Sequence, residues 1–115
     1  MKLDELKALV LDALDALKGN DIEVLNVAQL TDMADIMIVV SGTSSRHVKA
    51  LANNVVTEVK AQGILPVGVE GEEEGAWVLV DLGDILIHIM LPETRDFYAI
   101  EKLWGVDAES KMNEE

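Results

Sequence analysis

The stretch IMIVVSGTSSRHVKALANNVVTEV, residues 36–59, decides the fold class. Ile36 to Val40 is apolar at every position, the pattern of a strand covered on both faces and therefore interior to its sheet. Val48, Leu51, Ala52, Val55, Val56 and Val59 then recur at helical spacing and define the clearest amphipathic helix of the chain, ending near Gly63. Between strand and helix lies a hydroxyl-rich turn, Ser41-Gly42-Thr43-Ser44-Ser45-Arg46-His47. A strand feeding a helix leaves unpaired amides at such a turn, which gives it the outline of an anion cradle with Arg46 and His47 beside it. The other reading is helix capping, in which Thr43 or Ser44 accepts the first N–H groups of the helix running from Val48 to Ala61.

Working outward on the N-terminal side, Leu3, Leu6, Val10, Ala13, Leu14 and Leu17 predict an amphipathic helix over residues 2–18, with Gly19 as its stop. Ile22 to Val27 reads as a strand, residues 28–34 as a connection, and Asp35 to Val40 as the second strand. On the C-terminal side Ile64 to Val69 is a third strand, which Pro66 assigns to an edge or a strand start. A glycine-flanked acidic loop follows, with Glu70, Glu72, Glu73 and Glu74. Ala76 to Asp81 and Asp84 to Leu91 are two strands joined through Leu82-Gly83, Gly83 supplying the positive φ of a tight turn. Pro92-Glu93-Thr94 opens a last helix through Trp104, stopped by Gly105, and residues 106–115 form a polar tail expected to fray. The sum is one α/β domain over residues 1–105, a mixed sheet of about five strands with flanking helices.

Pairing Asp81 with Asp84 sets Val80 opposite Ile85, Leu79 opposite Leu86, Val78 opposite Ile87 and Trp77 opposite His88. Period 2 then sorts the faces. Val78, Val80, Ile85, Ile87 and Ile89 form a β-branched face suited to packing under helices. Trp77, Leu79, Leu86, His88 and Met90 form the opposite face, either core beneath another element or a docking surface. In the last helix Phe97, Ile100, Leu103 and Trp104 make an apolar stripe, with Phe97 and Trp104 expected in the core and Tyr98 on the flank.

Composition excludes several function classes. Without cysteine there is neither a disulfide nor a zinc–thiolate site, and a reducing cytoplasmic compartment fits. No apolar run reaches the length of a bilayer span, and Met1-Lys2-Leu3-Asp4-Glu5 is unlike a signal peptide. Twenty-two Asp and Glu against nine Lys and Arg give a formal charge of −13, which opposes unaided binding to nucleic acid or to an anionic membrane. A basic partner is the natural complement.

Catalytic constellations are sparse. His47 and His88 lie on different elements with no metal-ligand spacing around either, and Ser41, Ser44 and Ser45 have no nucleophile elbow or assignable base. Asp81 and Asp84 flank a turn and read as turn formers. One enzymatic alternative is a nucleotidyltransferase-like protein binding nucleotide phosphates at residues 42–45. Such an enzyme needs two carboxylates alternating on one strand face, whereas Trp77-Val78-Leu79-Val80-Asp81 supplies a carboxylate only at its end.

Three blocks carry a family resemblance: SGTSSRHVKALANNVV at 41–56, GVEGEEEGAWVLVDLGDILIHIM at 68–90 and RDFYAIEKLWG at 95–105. In order and spacing they resemble the ribosomal silencing factor RsfS, or Iojap-like, family, from about Leu9 to Gly105. Asn26 stands where many members carry Asp, and the tail after Gly105 lies outside the family's core. The resemblance implies a fold similar to nucleotidyltransferases without their active site, no cofactor or metal, and no enzymatic activity. It further implies a translational repressor that binds the large ribosomal subunit through its protein fourteen and blocks joining with the small subunit, with relatives acting in ribosome biogenesis.

Combined with the charge, this reading places the energetic centre of docking on desolvated apolar and aromatic groups, Trp77, Leu82, His88, Met90 and Tyr98. Glu70, Glu72, Asp81 and Asp84 steer and orient the basic partner, and no direct sequence-specific contact with nucleic acid is expected. Apolar face area beyond the core also fits a homodimer, through the sheet face or the first helix.

Overall fold

A computed structural model describes residues 1–100 and residue 102. The element order is α1 (Leu3–Ala16), β1 (Asn20–Asn26), β2 (Ile36–Ser41), α2 (Ser45–Ala61), β3 (Gly68–Glu70), β4 (Trp77–Asp81), β5 (Ile85–Met90) and α3 (Pro92–Tyr98). The five strands form one mixed sheet in the order β1-β2-β5-β4-β3. β2 and β5 pair in parallel from Ile36↔Ile85 to Ser41↔Met90, and the other three pairings are antiparallel. The α/β architecture and the interior position of β2 are as the sequence predicts, and every residue of β2 is buried.

Two antiparallel steps from β5 make β3 run parallel to β2. Parallel strands need a crossover, and α2 supplies it. Its 17 residues span about 25 Å, enough to cross β5 and β4 and deliver the chain to the far edge. α2 buries Val48, Leu51, Ala52, Val55 and Val59 on Ile38, Val40, Val78, Val80, Ile87 and Ile89, and α1 adds Leu6, Val10, Ala13 and Leu14 to the same core. That face is the β-branched one expected from period 2.

The hairpin register differs by two residues from the sequence reading. Asp81 pairs with Leu86, Val80 with Ile87, Val78 with Ile89 and Trp77 with Met90. Leu82 N–H donates to Ile85 O at 2.9 Å, so the turn is Gly83-Asp84, with Gly83 at φ 90°. A two-residue turn of this hand needs its positive φ at the first central position, which only Gly83 provides. Asp81 Oδ1 accepts the Gly83 N–H at 2.8 Å and secures the bend. Because the shift is even, each side chain keeps its predicted face.

Other differences are local. β3 is confined to Gly68–Glu70 because Pro66, which has no N–H, precedes it, and pairing reaches back only to Val67 N–H on Asp81 O. α3 ends at Tyr98 rather than Trp104, because Ala99 adopts φ 47° and closes the helix on Arg95 O. Phe97, expected in the core, is 80 % exposed, whereas Ile100 beyond the break is buried. The expectations for Leu103, Trp104, Gly105 and the tail at 106–115 lie outside the described residues.

Gly19 has a different task from the one its sequence position suggests. The left-handed residue that closes α1 is Lys18, at φ 61°, and Gly19 N–H bonds to Leu14 O at 2.9 Å while Lys18 N–H bonds to Asp15 O. This is the paired-bond Schellman closure with lysine in the usual glycine place. Gly19 is instead needed for close approach, since a Cβ there would lie 2.7 Å from Val40 Cγ2 and 3.2 Å from Leu14 O. Lys18→Gly is therefore expected to stabilise the fold by up to about 1 kcal/mol and Gly19→Ala to destabilise it by about 1–3 kcal/mol. Urea unfolding midpoints of the two variants should move in opposite directions.

Candidate functional site

The turn at 41–47 caps α2. Ser44, extended at φ −152°, accepts His47 N–H at 3.1 Å. His47 then folds its ring back over the turn: Nδ1 accepts Thr43 N–H at 2.9 Å, and Nε2 lies 2.7 Å from Leu17 O at the end of α1. A carbonyl only accepts and an amide only donates, so the ring proton sits on Nε2. Gly42 N–H bonds to Met90 O, and a Cβ at Gly42 would press on Val48 at 2.9 Å. The amides of Gly42, Thr43 and His47, which a phosphate cradle would offer, are thus held by the protein's own groups. Among the described residues no group of His, Asp and Glu converges as a metal site.

The second sheet face divides into two halves. Over β1, β2 and the Met90 end of β5 it is core: Leu25, Val27, Met37, Val39 and Met90 pack with Ile100, the first residue after the α3 break. Towards β4, among the described residues, it is more open: Trp77 and Leu79 of β4 and His88 of β5 are only half-buried. Trp77 joins the two halves. Its indole borders the Met90 cluster on one side, and on the other its Nε1–H donates to His88 Nδ1 at 3.0 Å.

An aromatic series continues outward from Trp77. Tyr98 packs against it in a tilted arrangement, with ring centroids 4.8 Å apart at 50°, and Phe97 meets Tyr98 edge-on at 5.0 Å and 85°. Tyr98 is 50 % exposed, so the series runs from half-buried indole to nearly bare phenyl. Beside it a hollow of about 340 Å³ is lined by Glu70, Gly71, Trp77, Leu79 and His88. The hollow has a carboxylate on its rim, apolar walls, and an imidazole whose Nδ1 is already used.

Of the residues expected to make contact, the fold brings together Trp77, His88, Tyr98 and Glu70. It does not add Leu82 or Met90. Met90 is fully buried in the second cluster, and Leu82, at 8 % exposure, belongs to the helix-covered core on the opposite face. Asp81 and Asp84 sit at the hairpin tip, about 13 Å along β4 from Trp77, and Asp84 O accepts the N–H groups of Asp35 and Ile36. Glu72 is exposed in the loop that closes through Gly75 N–H on Gly71 O.

Sequence reasoning passed over Arg95. It is buried at 8 % exposure, and its Nη1 donates to Ser41 Oγ at 3.0 Å while Nη2 lies 4.0 Å from Glu23 Oε2. The available signal was a basic residue one helical turn before Tyr98 in a seven-residue helix, where an exposed position would have been the ordinary expectation.

A model of the family described as "Ribosomal silencing factor during starvation" matches residues 1–115, the tail included. The chain is 50 % identical over 105 residues to a ribosomal silencing factor RsfS of Chromobacterium violaceum, covering 91 % of this chain and 86 % of that protein. It is 38 % identical over 89 residues to the mouse protein named mitochondrial assembly of ribosomal large subunit protein 1, covering 75 % of this chain and 39 % of that one. A crystal structure of a Chromobacterium violaceum protein superposes with a TM-score of 0.89 at 49 % identity, covering 90 % of this chain and 87 % of that one.

Burial lowers the His88 pKa from 6.5 to about 4, since desolvation penalises the imidazolium. The unfolded chain therefore binds more protons than the native state between those values, so stability falls as pH drops from 6.5 towards 4. The slope is at most about 1.4 kcal/mol per pH unit. Protonation would also cost the Trp77 bond, because Nδ1 could no longer accept. His88→Gln, whose amide oxygen can still accept from the indole, should remove this component: the difference in melting temperature between variant and parent should shrink or reverse as pH falls from 7 to 4.5. A difference independent of pH would show that His88 does not titrate in this way.

Proposed function

The chain belongs to the ribosomal silencing factor RsfS family, and from that premise we propose that it docks on the large ribosomal subunit through protein fourteen of that subunit and blocks joining with the small subunit. The observation that carries this reading is the open half of the second sheet face, where Trp77, Tyr98 and Phe97 form a graded aromatic series beside a hollow edged by Glu70. Apolar and aromatic groups of this kind supply most of the affinity of a protein interface, because their burial is not offset by the desolvation of charge. The names of the relatives support the same target, a silencing factor in bacteria and an assembly protein of the large subunit in mouse mitochondria.

Charge narrows the anchor to a protein. A chain of formal charge −13 is repelled by ribosomal RNA, so favourable approach requires a basic protein surface. Glu70 lies beside Trp77 and orients the partner there, while Glu72, Asp81 and Asp84 act at longer range as steering charges. On this reading the protein is no enzyme: it acts by occupying a surface, with neither cofactor nor metal. No described helix is long and apolar enough to cross a membrane.

Two substitutions separate docking from folding. Trp77→Ala is expected to weaken binding to purified large subunits by tens-fold, or about 2 kcal/mol, measured by co-sedimentation. Met90→Ala, inside the second cluster, should instead lower unfolding stability by about 2–4 kcal/mol. Purified protein should also slow subunit association followed by light scattering, and Trp77→Ala should restore the rate. Unchanged association at saturating protein would sink the silencing reading.

A further inference from the structure

Resting on the docking face just proposed, we infer that Arg95 is a positioning residue for that face, acting through Tyr98. α3 has seven residues, too few to be stable through its own hydrogen bonds, and Arg95 is its one buried member. A guanidinium stays ionised when buried, so it occupies such a place only where partners meet its N–H groups. Those partners lie on two different strands. Ser41 Oγ, at the end of β2 and itself buried, accepts from Nη1 at 3.0 Å, and the covered Oε2 of Glu23 on β1 faces Nη2 at 4.0 Å. The guanidinium therefore ties α3 to the C-terminal end of β2 by a hydrogen bond and to the middle of β1 by an ion pair.

The consequence appears one turn later. Residues three apart in a helix share a side, so the placement of Arg95 sets where Tyr98 falls. It falls on Trp77, 4.8 Å between centroids. Arg95 also closes the helix, its carbonyl accepting Ala99 N–H at 2.7 Å, which turns the chain and seats Ile100 in the second cluster. The same residue thus sets both the inner wall of the aromatic series and the point at which the chain leaves the face. No contact of Arg95 with a partner is needed.

The chain has two tryptophans, so a Trp104→Phe background makes Trp77 the single emitting indole. In that background Arg95→Met keeps the apolar stem and removes the fork, and half-exposed Glu23 can turn to water. Its free-state emission should move to longer wavelength and become more accessible to acrylamide, as in Tyr98→Ala. Affinity for large subunits should fall about tenfold, and adding Tyr98→Ala should cost nothing further, because both substitutions remove the same packing. Unshifted emission, or losses that add in the double variant, would overturn the inference. If far-UV circular dichroism shows that Arg95→Met does not fold, Ser41→Ala, which deletes one hydrogen bond, takes its place: shifted emission with non-additive losses supports the inference, and unshifted emission or additive losses overturn it. If the parent itself fails to bind large subunits, the docking reading fails, and the emission of the free variants alone decides the role of Arg95.

Discussion

The parallel pairing of β2 with β5 is the constraint from which the rest of the structure follows. Six residue pairs, Ile36↔Ile85 through Ser41↔Met90, lock two apolar strands side by side in the middle of the sheet. Parallel neighbours cannot be joined by a tight turn, so the chain between them must leave the sheet and return. α2 makes the crossing, and the β3–β4–β5 meander brings the chain back to the centre. With β2 and β5 both interior, their side chains alternate into two separate cores, one under α1 and α2 and the other beneath Ile100.

Those two cores differ in completeness. The helix-covered one is closed. Among the described residues the other is covered across β1, β2 and the Met90 end of β5, with Trp77, Leu79 and His88 half-buried at its margin. This margin is where docking is proposed, and its chemistry follows from partial burial. The half-buried indole requires an acceptor for its N–H and finds it in His88, which burial keeps neutral. A neutral imidazole adds no positive charge to the hollow it shares with Glu70, which suits the basic partner of the proposed docking.

The turn at 41–47 shows how one local sequence serves two geometries. A strand feeding a helix start has the shape of an anion site, but here the His47 ring takes up the Thr43 amide and ties the turn to the end of α1. What resembles a catalytic loop acts as a clamp between α1 and α2.

Local periodicity was enough to identify the α/β class, the burial of β2 and the two faces of the hairpin, and local chemistry narrowed the cap of α2 to Thr43 or Ser44. Each depends on spacings of 2 or 3.6 residues, or on one side chain next to its own backbone, and such relations are written along the chain. Period 2 assigned Met90 and Trp77 to one face, and no local rule could distinguish them. Met90 became core and Trp77 margin because Ile100 packs into the cluster that holds Met90, whereas Trp77 is only partly buried against it. The hairpin register, the exposure of Phe97 beyond the Ala99 break, and the burial of Arg95 between β1 and β2 have the same origin. They were decided by where distant segments come to lie, because cover, unlike alternation, is supplied by residues far away in sequence.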